Sequence, residues 1–223
     1  MREVALDTET TGLSHKDGHR VIEIGCVELL HRIPTGKVYH QYINPERDVS
    51  PGASAISGLT YNFLKDFPTF TTIANDFYQF INGATLVIHN ASFDIGFINA
   101  EFARVNLPLL KVQEAIDTML LSRKKFPGQP ANLDAVCKRF NIDNSNRIKH
   151  GALIDAQLLA EVYIEFLGGR QGELFKNNQD APEIIQSNKP FRKPRMFAIN
   201  ENESKEHQEF LKDIKDPLWL KSS

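Results

Sequence analysis

Cysteine and tryptophan are scarce in the 223 residues, two of the first and one of the second. Cys26 and Cys137 each lie inside an apolar run, Ile24-Gly25-Cys26-Val27 and Ala135-Val136-Cys137. Two isolated cysteines exclude a disulfide framework and zinc-ligand spacing, and they suit buried free thiols in a reducing cytosol. Long apolar runs are lacking too: none approaches the roughly 20 residues of a membrane-spanning helix. Met1-Arg2-Glu3 leads almost directly into the first apolar stretch and leaves no room for a signal peptide, so the expectation is a cytoplasmic protein with no membrane association. Charge of one sign is not in excess, the formal net charge being −2. Such a chain is no generic polyanion binder, and nucleic acid would have to be held by local geometry, metal ions or a partner. What is present is ordinary globular composition, 41% hydrophobic and 24% charged. The length fits one well-cored domain plus an appendage, or two small domains.

The apolar run Val4-Ala5-Leu6 ends in Asp7-Thr8-Glu9-Thr10-Thr11-Gly12. Residues i and i+2 of a strand share a face, so Asp7 and Glu9 project together. Adjacent carboxylates repel, and one takes up a proton unless a cation lies between them. A hard divalent metal explains the pair; an acidic strand end facing solvent is the alternative, and the hexapeptide alone does not choose. Residues 21–29 and 37–43 read as further strands, the second following a Pro34-Thr35-Gly36 turn, which makes an antiparallel meander. Residues 45–68, rich in Pro, Gly and Ser, read as a long irregular loop. Helical spacing predicts a helix over Phe70–Ile81, whose aromatics belong to a core. A short buried strand, 86–88, then runs into a helix reaching about Val105, capped by Asn90 or Ser92. Further helices are expected over 115–125, 132–140 and 152–167, the last ended by Gly168-Gly169. This order predicts an α/β or α+β domain ending near residue 168. Beyond Phe175 the composition turns to Asn and Pro without periodicity, as in a flexible linker. An amphipathic segment with Phe210, Leu211, Ile214 and Leu218-Trp219-Leu220 follows; a tail of this kind docks on a partner or folds back on the domain.

Three more residues extend the acidic pair. Asp94 opens a helix that follows a strand, His150 precedes the last helix of the domain, and Asp155 lies in that helix's first turns. Each alone reads as readily as a helix-end charge or a surface residue. Together, four acids and a histidine at strand ends and helix starts are the components of a two-metal phosphodiester hydrolase. Shared carboxylates hold two magnesium ions, and a neutral imidazole near pH 7 takes a proton from water.

Asp7-Thr-Glu9-Thr-Thr-Gly, His89-Asn-Ala-Ser-Phe-Asp94 and His150-Gly-Ala-Leu-Ile-Asp155-Ala resemble the three motifs of the DEDDh 3′→5′ exonucleases. Intervening stretches such as Val21-Ile-Glu-Ile-Gly, Phe126-Pro-Gly and Asn132-Leu-Asp-Ala-Val-Cys-Lys-Arg-Phe are similar to the epsilon proofreading subunits of bacterial DNA polymerase III. The resemblance spans about residues 2–170. It implies an RNase-H-like fold, a five-stranded mixed sheet flanked by helices, and two divalent ions, Mg2+ or Mn2+. It further implies that Asp7, Glu9 and Asp155 ligate metal, that Asp7 bridges to the second ion, that Asp94 acts through water and that His150 is the general base. Thr8 and the following threonines would line the terminal-nucleotide pocket. One departure is Ala55-Ile56-Ser57-Gly58, where the family carries a histidine at the position of Ser57. Ile56 is expected to wedge against the terminal base, and Ser57 to contact substrate.

Gln171-Gly-Glu-Leu174-Phe175 looks like the pentapeptide by which bacterial replication proteins enter the sliding clamp. By the same resemblance the Trp219 segment would bind the alpha polymerase subunit. The expected organisation is an exonuclease domain over 1–170, a clamp-binding-like motif and linker over 171–204, and a docking tail over 205–223. The substrate would be a single-stranded 3′ end of DNA, and the setting a bacterial, nucleoid-associated replisome. The alternatives are an RNA-trimming DEDDh exoribonuclease and a catalytically inactive scaffold subunit. The clamp-like motif argues against the first, the full set of acids against the second.

Overall fold

The computed structural model describes residues 1–145, 147, 149–169 and 200–214. Gln171, Leu174, Phe175 and Trp219 lie outside the described residues. Along the chain run β1 (Arg2–Thr10), β2 (Val21–Leu30), β3 (Ile33–Tyr42), α1 (Pro51–Ser57), α2 (Tyr61–Leu64), α3 (Phe70–Ile81), β4 (Thr85–Ile88), α4 (Ala91–Arg104), β5 (Ile116–Asp117), α5 (Thr118–Lys125), α6 (Leu133–Phe140), α7 (Ala152–Phe166) and α8 (Glu201–Asp213). The chain divides into two compact units, Met1–Gln179 and Asp180–Ser223. The first carries the sheet, and α8 is the one helix described in the second.

The sheet order is β3-β2-β1-β4-β5. The strands β1, β2 and β3 form the expected antiparallel meander, while β4 and β5 run parallel to β1. The middle position of β1 follows from its sequence: Val4, Ala5 and Leu6 are fully buried, as a strand covered on both faces requires. On one face Val4, Leu6, Ile24 and Cys26 meet Phe70, Phe77, Ile95 and Phe102 of α3 and α4. Each such fully buried side chain contributes about 1.5–3 kcal/mol. On the other face Ala5, Val27, Leu29 and Val87 meet Ala156, Leu159, Ala160 and Tyr163 of α7. Outside α7, Leu133, Val136 and Cys137 of α6 pack on Leu158 and Val162. Both cysteines are thus buried and free.

Four local expectations are corrected. The β2–β3 hairpin closes at His31 and Arg32, with φ of 52° and 68°, the left-handed pair that a tight two-residue turn demands. Pro34-Thr35-Gly36 lies within β3, where the register against β2 shifts between Val27 and Leu29; an outer strand tolerates a proline there. The stretch 45–68 holds α1 and α2. Ser50 and Thr60 cap them, accepting from the N–H of Ala53 and Phe63. Gly58 ends α1 at a φ of 78°. Residues that read as loop-formers are therefore caps, on helices too short to display a period. Third, α5 begins at Thr118, because Ile116 and Asp117 pair with Val87 and Ile88 as β5. Last, Asn90 stands at the α4 N-cap with a φ of 74° but makes no capping bond; Asp117 supplies it instead, as described below. In α6 the cap is Asn132, whose side chain accepts from the Ala135 N–H at 2.8 Å.

Candidate active site

At the carboxyl end of β1 the strand's alternation divides the motif between two helices. Thr8 turns to α4, donating its backbone N–H (3.0 Å) and its hydroxyl (2.7 Å) to one oxygen of Asp94. Asp7 and Glu9 share the other parity with Ala5, which packs against α7, the helix that carries Asp155. The approach of α7 depends on Gly25, the β2 partner of Asp7. A Cβ there would lie 2.2 Å from the Ala152 backbone carbonyl, so only glycine lets the start of α7 seat this close. The ligand atoms of Glu9, Asp155 and His150 consequently lie within 4.8 Å of one another.

The start of α4 is fixed from β5. Asp117 accepts from the N–H groups of Asn90 (3.2 Å) and Ala91 (3.0 Å), and also from Met119 (2.9 Å) and Leu120 (3.2 Å). One carboxylate thereby caps both α4 and α5, and its charge suits the positive ends of two helix dipoles. Nothing in the acid pattern singled Asp117 out, although an Asp directly before a helical run is a cap signature. Two other contributors were also missed. His89 hydrogen-bonds Thr118 at 2.9 Å beside the cleft, and burial lowers its pKa. Arg147, three residues before His150 in a stretch without periodicity, reaches into the acids.

These side chains surround an open cleft of about 680 Å³, walled by Thr8, Ile56, Phe93, Asp134 and His150 among others. Its electrostatics are those of crowded carboxylates. Burial, then the charges of Asp94, Asp155 and Glu9, raise Asp7 well above the ordinary carboxylate range, while Arg147 opposes them. Burial and the charges of Asp155, Glu23 and Asp94 push Glu9 up to about 8. Burial raises Asp94 to about 7 against the lowering effect of the Thr8 hydrogen bonds. Such a set of crowded oxygens, four carboxylates against the one guanidinium of Arg147, matches the donors that hard divalent cations require.

His150 lies at the cleft mouth with its side chain 46% exposed. Its backbone N–H donates to the Ile56 carbonyl at 3.3 Å, which ties the histidine to the end of α1. Ile56 is half-exposed on the wall. Ser57 is not among the lining residues; its buried hydroxyl donates to the Ala53 carbonyl (3.0 Å) and accepts from the Leu59 N–H (3.2 Å). Of the remaining threonines, Thr10 lines the cleft and Thr11 does not, and both are engaged within their loop. Thr10 donates to the Gly12 carbonyl, and Thr11 bonds His19 and accepts from the Arg20 N–H.

Comparison with known proteins agrees with this geometry. The RNase_T exonuclease family model matches residues 4–163. DNA polymerase III subunit epsilon of Rickettsia felis is 47% identical over 225 residues, covering 96% of this chain and 97% of that protein. The epsilon subunit of Escherichia coli strain K12 is 46% identical over 181 residues, covering 78% and 74%. Among solved structures, exonuclease X in complex with 5′-overhanging duplex DNA superposes with a TM-score of 0.56 at 26% identity, covering 75% of this chain and 90% of that one. Since the match takes in the whole sheet and every element around the cleft, the chain belongs to the RNase_T exonuclease family and, within it, to the epsilon subunits of bacterial DNA polymerase III.

Proposed function

We propose that the cleft hydrolyses the terminal phosphodiester of a single-stranded 3′ end of DNA, removing mispaired nucleotides as the proofreading 3′→5′ exonuclease of a DNA polymerase III complex. The observation that carries this reading is the cluster of Asp7, Glu9, Asp94 and Asp155 around one cleft with His150 at its mouth. We assign Asp7, Glu9 and Asp155 as ligands of two divalent ions, Mg2+ or Mn2+, with Asp94 acting through water. Bound there, the ions would lower the pKa of water and steady the leaving oxygen. The chain's own residues do the rest. Thr8 holds Asp94 in place, and Gly25 lets α7 bring Asp155 beside Asp7 and Glu9. His150, exposed enough to meet solvent, accepts the proton of the attacking water at imidazole nitrogen. Ile56 offers apolar surface to the terminal base, whereas Ser57 reaches substrate only by giving up its bonds to Ala53 and Leu59.

The test is a gel of 5′-labelled single-stranded DNA and matched RNA incubated with protein and magnesium beside an Asp7→Ala control. DNA shortened stepwise from its 3′ end, and only by the unaltered protein, is the expected outcome. Preferential shortening of RNA would point to an exoribonuclease, and intact strands to an inactive scaffold.

For the remainder we propose an organisation by residue range: catalytic domain 1–170, clamp motif and linker 171–204, polymerase-docking tail 205–223. Gln171, Leu174 and Phe175 would enter the sliding clamp, and Trp219 the alpha subunit. Support comes from α8, which begins at Glu201, buries none of its residues and leaves Phe210 exposed. Family membership implies a cytoplasmic bacterial replisome, and association with the nucleoid is part of the proposal. Phe175→Ala should weaken retention on immobilised clamp without slowing hydrolysis of a free oligonucleotide.

A further inference from the structure

The side chain of Arg147 is only 6% exposed, although it belongs to the connection between α6 and α7. Its Nε and one Nη clasp the two oxygens of Asp155, at 2.5 and 2.6 Å. The other Nη donates to both oxygens of Asp134 at 2.8 Å. The Nη on Asp155 also lies 2.7 Å from His150 Nδ1. All five N–H groups of the guanidinium are therefore engaged, a complete use of its fork. Among the described residues Arg147 is also the cation that opposes the crowded charges on Asp7 and Glu9.

We propose that Arg147 is the resident cation of the metal-free site, an internal competitor that divalent ions displace from Asp155 and whose departure frees His150. This rests on the reading of Asp155 as a metal ligand and of His150 as the base. In the observed arrangement neither can act. Both Asp155 oxygens are occupied by N–H donors. A guanidinium has no lone pair to offer, so His150 Nδ1 is the acceptor and the ring proton of the neutral imidazole sits on Nε2. No nitrogen is then free to take a proton from water. Without Arg147 the apo protein would hold its acids uncompensated; with it, the acids stay together in a geometry ready for exchange. A doubly charged ion gains more than a single charge from shared carboxylates. Asp134, half-exposed on α6, stays available to the guanidinium after it leaves Asp155. Among the described residues of the connection, Ile142 anchors it to the core, while Arg147 belongs to no core cluster, so the side chain can move without opening the domain.

The experiment measures binding of Mn2+ alone, by calorimetry, to chelated and dialysed full-length protein, to Arg147→Gln and to Arg147→Lys. Loss of a charge-assisted competitor should tighten Mn2+ on the order of tenfold in Arg147→Gln, with Arg147→Lys in between. Unchanged or weaker binding in Arg147→Gln would overturn the proposal while leaving the metal site standing. Absence of Mn2+ binding to the unaltered protein would remove the metal reading and this proposal with it. To keep the test independent of the folding of the variant, the unaltered protein supplies a second readout. The Arg147 Nε–H resonance, assigned by its loss in Arg147→Lys, should be slow to exchange in chelator and move on addition of Mg2+. A signal indifferent to saturating Mg2+ would also overturn the idea.

Discussion

Carboxylates held together without a metal keep protons that the unfolded chain releases. Glu9 sits near 8 and Asp94 near 7, and Asp7 is raised as well, against unfolded values of 4.5 for Glu and 3.8 for Asp. The folded state thus binds more protons at neutral pH. The contribution of these groups to stability is fully present below the unfolded pKa values and is lost as pH rises through the folded ones. In chelator, the melting temperature should fall between about pH 5 and about pH 8, and excess Mg2+ should flatten the slope. A thermal-shift series with and without Mg2+ measures this, and a chelated protein that gains stability over that range would contradict it. Asp7→Asn removes one of the repelling charges, so it should raise the chelated melting temperature at the alkaline end while abolishing hydrolysis. At His150 the expectations separate two roles. As a general base its loss in His150→Ala should cost about 10²- to 10⁴-fold in rate, with Mn2+ affinity nearly unchanged. Because its ring lies within ligand distance of Glu9 and Asp155, a grossly weakened Mn2+ affinity in that variant would make it a ligand instead.

At the scale of elements, the site depends on how closely two helices approach one strand end. Gly25→Ala puts a methyl group into the Ala152 backbone, and backbone cannot rotate away as a side chain can. The start of α7 must shift, taking Asp155 from Asp7. We expect a loss of several degrees in melting temperature and at least about 10²-fold in rate, since misplacement of catalytic groups by about 1 Å has that effect. Asp117→Ala removes the caps of α4 and α5 together. At about 0.5–2 kcal/mol per cap, the variant should unfold at lower urea, and its rate should drop less than that of Gly25→Ala because Thr8 still holds Asp94. What was legible in the sequence follows the same division. The pairing of Asp7 with Glu9 was readable because a period of two is local, and α3 because its apolar spacing repeats over three turns. Asp117 and Gly25 were not, since their meaning lies in atoms 26 to 127 residues away along the chain. Helices α1 and α2 were hidden because Ser50, Gly58 and Thr60 serve equally as loop residues and as caps. Arg147 could not be read at all: only the folded chain brings a loop guanidinium between Asp134 and Asp155.

Across the whole molecule, the catalytic unit and the tail differ in what holds them. Among the described residues every core cluster lies between Val4 and Leu167, and α8 has no buried residue. A chain ending at residue 175 should therefore keep its melting temperature and its rate on a short single strand. A loss of either would show that the tail belongs to the domain. What the shortened chain should lose is its advantage at a primer end. If the tail tethers the exonuclease to the polymerase, cleavage of a mismatch there proceeds at a local concentration set by the linker rather than by bulk enzyme. Removing the tail converts that step into an encounter from solution, and at dilute enzyme the rate of mismatch removal should fall on the order of 10²-fold. Raising the concentration of the shortened chain should restore it, because the chemistry is untouched. A deficit that excess enzyme fails to correct would mean that the polymerase changes the active site itself.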